Sequence, residues 1–457
     1  MAEHFDLMVF GGGPGGYASA IAAAKGGLKV VLFEKERLGG TCLNVGCIPT
    51  KYLLDKASKV ESIRTLTGNG LIKEAGCFSF KKVQSGKNEV VNKLVNNLSY
   101  LIKANNITVV QGEAQLKSGC KAVCNRMEYE ADNVIIATGS LPISITFPGA
   151  EHAVDSTGVL SIEKLPQRMV VIGGGVIGLE IASAYASFGS EVTVIEMMDS
   201  LLPNEQAEAA RLLTSVLKKR GLKILTGSKV ERIEKNAAGL TVFYSKNGKR
   251  YEEASDMVLM AIGRKARLSG IDAKELGLKL TAKGFVEVDG HMKTNLDHVY
   301  AIGDAAGGYQ LAHVAYAEGE TAVANILGHN KEVDYNNVPR CVYSIPCFAA
   351  VGMTSDQAKS KGIETVMGSF SYEGNGMALA EGASGTVYAI MDKNSQETVG
   401  IQIVGENASE LISFATLAVS KKLTLSEWED LIVAHPSLSE MIREAAMDAF
   451  KKAIHKV

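Results

Sequence analysis

An α/β chain in three parts is what the sequence predicts, and three observations predict it. A glycine-rich turn joins an apolar strand to an Ala-rich helical stretch, the same pattern returns further along, and from about residue 339 short strands give way to helices. The first two read as Rossmann-like dinucleotide-binding units and the third as a separate antiparallel α+β domain. That domain carries no nucleotide fingerprint, so an interface or dimerisation role is its default reading.

The first unit opens on Val9-Phe10-Gly11-Gly12-Gly13-Pro14-Gly15-Gly16-Tyr17, and its second strand, Val30-Val31-Leu32-Phe33, ends in Glu34. The second copy is Val171-Ile172-Gly173-Gly174-Gly175-Val176-Ile177-Gly178-Leu179, with Val192-Thr193-Val194-Ile195 ending in Glu196. The acidic residue follows the first glycine by 23 positions in both, and two matching copies outweigh a lone G-x-G-x-x-G. Gly11 and Gly173 make the tight turn, Gly13 and Gly175 let a pyrophosphate approach the backbone, and Gly16 and Gly178 let helix and strand pack closely. The helix N-terminus faces the phosphates and the carboxylate hydrogen-bonds a ribose diol. At Glu196 an anion also repels a 2'-phosphate, and Met197 and Met198 offer no cation, so NAD(H) is favoured over NADP(H).

After the first fingerprint comes Gly39-Gly40-Thr41-Cys42-Leu43-Asn44-Val45-Gly46-Cys47-Ile48-Pro49-Thr50-Lys51. A straight helix would separate the two cysteines by roughly 7.5 Å along its axis. A disulfide therefore needs a distorted turn, which Gly39, Gly40 and Gly46 permit. Pro49 suits a first helical turn and puts Cys47 at a helix N-terminus, where the macrodipole favours a thiolate. Beside a nucleotide fingerprint this is the setting of a redox-active disulfide; the plainer alternative is two reduced cysteines that happen to be close.

Residues 55 to 110 read as helical and 113 to 130 as short strands of a small sheet. Apolar strands at 131 to 140 and 256 to 264 each close one nucleotide fold. A third strand, His298-Val299-Tyr300-Ala301-Ile302, runs into Gly303-Asp304, whose carboxylate suits a sugar or polyol hydroxyl or, equally, the N-cap of a helix near Leu311. Beyond 339, strands at 341 to 344, 349 to 353, 365 to 372, 386 to 391 and 399 to 404 precede helices at 408 to 421 and 440 to 455. The three parts are 1–147 with 271–338, 148–270, and 339–457.

Composition narrows the class. The 457 residues include 47 glycines and 21% charged side chains, with a mean hydropathy of +0.08, as in a compact α/β protein with many tight turns. A net charge of -2 and a pI near 6.5 give no reason to expect nucleic acid or an anionic membrane. No apolar run reaches the length of a membrane span. The start, Met1-Ala2-Glu3-His4-Phe5-Asp6, lacks a basic n-region, and seven cysteines are a sparse, odd set. A cytoplasmic location follows, although an organellar protein after transit-peptide cleavage would look the same.

Together with Leu311-Ala312-His313 and His435-Pro436-Ser437-Leu438-Ser439-Glu440, these blocks resemble the pyridine nucleotide-disulfide oxidoreductases over essentially the whole chain. The last two segments favour their dihydrolipoamide dehydrogenase branch. The resemblance implies FAD in the first unit, with Glu34 on its adenosine ribose, Ala114 near adenine, Thr138 and Gly139 beside it, and Asp304 on the ribityl chain. Ala312 and His313 would lie near the flavin pyrimidine edge. NAD would occupy the second unit, lined by Val230 and Gly263. Cys47 would be the flavin-proximal charge-transfer thiolate, Cys42 the interchange thiol, and Lys51 would approach the flavin and pair with Glu180. His435, oriented by Glu440, would be the acid and base of thiol-disulfide exchange, reaching the disulfide of the opposite subunit in an obligate homodimer. The implied reaction oxidises a dihydrolipoyl group and reduces NAD+. A lipoyl-bearing protein of a 2-oxoacid dehydrogenase complex or the glycine cleavage system would present that group, and no metal, nucleic acid or membrane is implied.

The chain departs from the family pattern at Val433, often histidine, at Cys347 after Pro346, usually acidic, and at Gly376-Met377, customarily polar and basic. These positions bear on substrate docking rather than on the redox relay, and Cys347 reads most simply as a buried small residue. Asp55-Lys56-Ala57 matches the lipoyl-lysine tripeptide, but its place in the helix after Cys47 makes that a coincidence. Two alternatives are a reductase of another disulfide and a flavin-bound scaffold. Glutathione-type relatives favour NADPH, which Glu196 disfavours; mercuric-type relatives have a C-terminal cysteine pair where Lys456-Val457 stand. A scaffold has no need of Cys42, Cys47, His435 and Glu440 together.

Overall fold

Long apolar strands buried on both faces set the first unit. In the computed structural model, which describes residues 3–74, 76–237 and 239–456, Glu3–Phe10 pairs in parallel with Val30–Glu34 on one side and Met127–Ile136 on the other. Thr108–Gln111 and Val299–Ala301 extend the parallel sheet at either edge. Met1 and Ala2 of the acidic start, and Val457, lie outside the described residues. Leu7, Leu32 and Ile135 on one face and Met8, Val31 and Val134 on the other are fully buried, which is what a sheet covered on both faces requires.

Residues 55 to 110 are not one helical stretch. The helix Cys47–Gly68 ends at Asn69 and Gly70, the latter at φ +76. A second helix, Phe80–Ala104, starts from Ser79, whose hydroxyl accepts the Lys82 N–H, and the β-branched run Thr108–Gln111 then joins the sheet. Nor do residues 113 to 130 make a separate small sheet. Gln115–Lys117 pairs antiparallel with Lys121–Cys124, which pairs antiparallel with the first half of the ten-residue strand Met127–Ile136; the second half of that strand continues into the parallel sheet.

The second unit stacks Lys223–Leu225, Glu191–Ile195, Arg168–Ile172 and Met257–Met260 as a parallel sheet. An antiparallel ribbon, Ser140–Pro142 against Arg264–Ala266, joins it to the first unit where the chain leaves and returns. A three-stranded antiparallel sheet from Lys229–Asn236, Gly239–Lys246 and Lys249–Ser255 was not foreseen. Its charge-rich strands bury few side chains, Ile233, Val242 and Tyr244 among them.

The C-terminal part is a five-stranded antiparallel sheet running Arg340–Val342, Cys347–Gly352, Thr398–Gly405, Gly385–Asp392, Thr365–Ser371. Ala408–Ser420 and Glu440–Asp448 cover one face, with Trp428 fully buried and donating to Thr398 Oγ1 at 2.9 Å. The last helix stops at Asp448 rather than near 455. The Glu444 carboxylate accepts the N–H groups of Ile454 and His455 at 2.9 and 3.1 Å, turning the chain back on itself. Among the described residues no helix is long and apolar enough to cross a membrane.

Candidate active site

A helix break brings the cysteines together. The helix Gly40–Val45 breaks at Gly46 (φ -145, ψ -109), and the next begins at Cys47. The break closes the Cα–Cα distance of Cys42 and Cys47 to 4.6 Å, and they form a disulfide. A side chain at Gly46 would put its Cβ 2.9 Å from the Thr41 carbonyl oxygen, so the break needs glycine. The lipoyl-lysine look-alike is helical as expected: Asp55 ion-pairs with Lys56 and Lys59, and Ala57 is buried.

One turn beyond Cys47, Lys51 Nζ lies 3.0 and 2.9 Å from the two carboxylate oxygens of Glu180. Glu180 belongs to the second-unit helix Val176–Phe188, and its Oε1 also accepts the Tyr343 N–H at 3.1 Å. All three parts of the chain therefore meet at this carboxylate. Beside it opens a cavity of about 860 Å³ whose wall includes Cys42, Cys47, Lys51, Glu180, Gly11, Gly13, Glu34, Ala114, Thr138, Gly139, Asp304, Ala312 and His313.

The cavity wall fits a dinucleotide such as FAD. At Gly11 (φ +104) a Cβ would meet Ala137 O at 2.4 Å, and at Gly16 it would meet Gly11 O at 1.8 Å. At Gly13 it would meet only Gly40 Cα at 3.9 Å, so the second glycine borders open space, as a cradle for phosphates must. The second unit repeats this: contacts of 2.4 Å at Gly173 and 2.0 Å at Gly178, and nothing within 4 Å at Gly175. Three of the four buried side-chain polar atoms without a partner among the described residues, Asn44 Oδ1, Thr138 Oγ1 and Gln310 Nε2, belong to residues of the cavity wall. A buried orphan of this kind wants a polar ligand.

Glu34 and Glu196 carry a task that sequence spacing did not reveal. Each carboxylate holds its own glycine turn: Glu34 accepts from Gly12 N–H at 2.8 Å and Glu36 N–H at 2.7 Å, and Glu196 from Gly174 and Met198 N–H, both at 2.6 Å. A carboxylate has about four acceptor sites, which leaves lone pairs for a ribose diol.

Asp304 does not cap the following helix; Leu311 precedes Ala312–Ile326 without a side-chain cap. Asp304 instead accepts a short hydrogen bond from Ser140 Oγ, with Arg264 Nε 3.7 Å away. His313 Nε2 lies 2.9 Å from Pro339 O and so donates to it, and burial lowers the pKa of its imidazole. Val230 and Gly263 lie outside the cavity wall; Val230 packs against the core between the second parallel sheet and the antiparallel one. His435 Nδ1 sits 2.9 Å from Glu440 Oε1, and Glu440 Oε2 accepts the Ser437 N–H at 2.9 Å. Burial pushes the Glu440 carboxyl up, but those two bonds outweigh it and leave it below the usual range. His435 is 78% exposed and also outside the wall. Cys347 and Cys341 are free thiols that burial pushes up to about 12 and about 11. Sequence reading missed Arg264, Ser140 and Tyr343, whose partners lie far away in the chain.

Residues 5–319 match the family described as pyridine nucleotide-disulphide oxidoreductase, and 338–446 match its dimerisation domain. A dihydrolipoyl dehydrogenase of Bacillus subtilis (strain 168) is 40% identical over 458 residues, spanning 98% of this chain and 99% of that one. One from Thermus scotoductus is 41% identical over 456 residues, spanning 99% and 98%. Among solved structures, LpdA of Mycobacterium tuberculosis superposes with a TM-score of 0.88 at 26% identity over 96% of this chain and 99% of that one. The HOCl-induced flavoprotein disulfide reductase RclA of Escherichia coli gives 0.87 at 28%, over 96% and 99%. With two glycine-carboxylate turns, a disulfide between them and both family domains in sequence, the chain belongs to the pyridine nucleotide-disulphide oxidoreductases.

Proposed function

We propose that the chain is a dihydrolipoyl dehydrogenase, oxidising a dihydrolipoyl group to lipoamide with NAD+ as the final acceptor. The observation that carries this is the Cys42–Cys47 disulfide in the wall of a cavity fitted for FAD, linked through Lys51 and Glu180 to the second nucleotide unit. Segments 1–147 and 271–338 hold FAD, 148–270 holds NAD, and 339–457 forms the interface of a homodimer. A lipoyl-bearing protein of a 2-oxoacid dehydrogenase complex or the glycine cleavage system presents the substrate. A reducing, cytoplasmic setting suits the five free thiols.

In this scheme His435, held by Glu440, takes the proton of one substrate thiol. The thiolate attacks Cys42 Sγ, the Cys42–Cys47 bond breaks, and Cys47 leaves as a thiolate at the N-terminus of its helix, where the dipole favours it. The second substrate thiol attacks the substrate sulfur of the mixed disulfide, closing the lipoyl ring; its proton passes to the departing Cys42, which leaves as a thiol, and His435 keeps the first proton while Cys47 stays a thiolate. Bound FAD supplies the two-electron link between that dithiol and NAD+. Lys51 and Glu180 hold the wall between the two nucleotide units, and Glu196 excludes a 2'-phosphate.

Anaerobic titration of the flavin-loaded protein with dihydrolipoamide, followed by NAD+ or NADP+, tests the reading. A long-wavelength absorption band that disappears as NADH forms, and persists with NADP+, is the expected result. No reduction by dihydrolipoamide in a protein that NADH does reduce would move the substrate to another disulfide.

A further inference from the structure

We propose that Tyr343 is a positioning residue that holds the Lys51 ammonium between its ring and Glu180, fixing the charge that Lys51 presents to the cofactor cavity. The inference rests on the cavity being the flavin site but not on the identity of the disulfide substrate.

Lys51 Nζ lies 4.2 Å from the Tyr343 ring centroid, well within the range of a cation–aromatic contact. The backbone N–H of the same residue donates to Glu180 Oε1, so Tyr343 grips both members of the ion pair, one through its ring and one through its main chain. The segment itself is pinned. Two residues on, the Ile345 N–H donates to Ser183 Oγ at 2.7 Å, and Ser183 lies on the same helix as Glu180.

Glu180 alone does not fix the lysine. Its side chain is 4% exposed, whereas that of Lys51 is 32% exposed and ends a flexible four-carbon stem with considerable rotamer entropy. Pivoting about the carboxylate would keep the ion pair and change where the ammonium points. The tyrosine face removes that freedom on one side, and both residues stand in the cavity wall. Burial raises the phenol above its ordinary range, so the attraction comes from the ring of a neutral tyrosine and phenylalanine can supply it.

The test compares Tyr343→Phe and Tyr343→Leu, each alone and combined with Lys51→Gln, in the flavin-loaded protein. Two quantities are read: the flavin midpoint potential, and turnover of NADH with an artificial dye, which needs neither the disulfide nor a lipoyl substrate. Tyr343→Leu should slow dye reduction about fivefold, within the range a cation–aromatic contact is worth. It should also lower the potential by about 20 mV, the two-electron equivalent of that factor. Tyr343→Phe should stay within about twofold of the parent, and on the Lys51→Gln background Tyr343→Leu should change neither quantity further. A phenylalanine variant as impaired as the leucine one, or a leucine effect of equal size without Lys51, would overturn the proposal. Failure of dihydrolipoamide as substrate would leave both readouts intact, so the two readings fail separately.

Discussion

Replacing Gly13 by alanine separates ligand binding from folding. Gly13 has φ -72 and ψ -175, an extended conformation open to any L-residue, and its added Cβ would meet only Gly40 Cα at 3.9 Å. The fold therefore loses nothing, and the smaller freedom of the unfolded chain stabilises it by about 0.4–1 kcal/mol. The methyl group, however, stands where the phosphates must approach the turn. Losing one charge-assisted hydrogen bond there costs about 1.5–3 kcal/mol, a weakening of roughly 10- to 150-fold. Gly16→Ala is the contrasting variant. Its Cβ would fall 1.8 Å from the Gly11 carbonyl oxygen, so it should unfold the unit rather than empty it.

The assay is FAD binding by fluorescence quenching on the apoprotein, with a thermal melt of the same samples. Gly13→Ala should melt at or above the parent temperature and bind FAD at least tenfold more weakly. The matching change Gly175→Ala (φ -83, nothing within 4 Å) should leave FAD in place and raise the Michaelis constant for NAD+. If Gly13→Ala binds FAD as tightly as the parent, this turn is not the phosphate cradle.

Three further outcomes follow from buried groups. Burial pushes the Glu318 carboxyl up to about 7, against hydrogen bonds from Tyr335 and the Gly303 N–H. Its protonated form thus stabilises the fold below the ordinary carboxylate range, and about 3 kcal/mol is lost as pH rises to about 7; melting curves of Glu318→Gln should lack that slope. Arg340 makes a bidentate pair with Glu205 at 2.8 and 2.9 Å, with side chains 19% and 11% exposed. Arg340→Met leaves a buried carboxylate uncompensated and should cost about 3 kcal/mol in urea unfolding. With the disulfide closed, a thiol reagent should find one fast cysteine, Cys77, because the other four free cysteines are shielded and burial raises their thiols; loss of the fast phase in Cys77→Ser checks it.

What could be read in the sequence was whatever local geometry dictates. A strand, a glycine turn, a helix and a terminal carboxylate at fixed spacing describe one piece of backbone, and Gly46 between Cys42 and Cys47, with Pro49 after them, prescribes its own helix break. The three-stranded sheet at 229–255 was illegible because Lys229–Asn236 carries charge on most of its length and buries too little for a clear alternation. Long-range partnerships were also hidden. Nothing near Glu318 in the sequence announces Tyr335 and Gly303 as its partners, and nothing near Lys51 announces a ring from Tyr343. Asp304 was ambiguous for the same reason: a carboxylate after a strand reads equally as cap or ligand until Ser140 and Arg264 are placed beside it.

His435 does not line the disulfide cavity of its own chain. It is fixed to Glu440 yet 78% exposed, nearby Ile432 is 96% exposed, and neither belongs to the cavity wall that holds the disulfide. If His435 is the base proposed above, its outward aim fits a site completed across a two-fold interface, where each chain lends its histidine to the other. Mixing inactive Cys47→Ser and His435→Gln chains under conditions that exchange subunits then has a calculable outcome. Half of the randomly formed dimers are hybrids, and each hybrid has one intact site, made from the disulfide of one chain and the histidine of the other. Dihydrolipoamide oxidation should return to about a quarter of the parental rate. If instead each chain uses its own histidine, every site in every hybrid lacks one partner, and no activity returns.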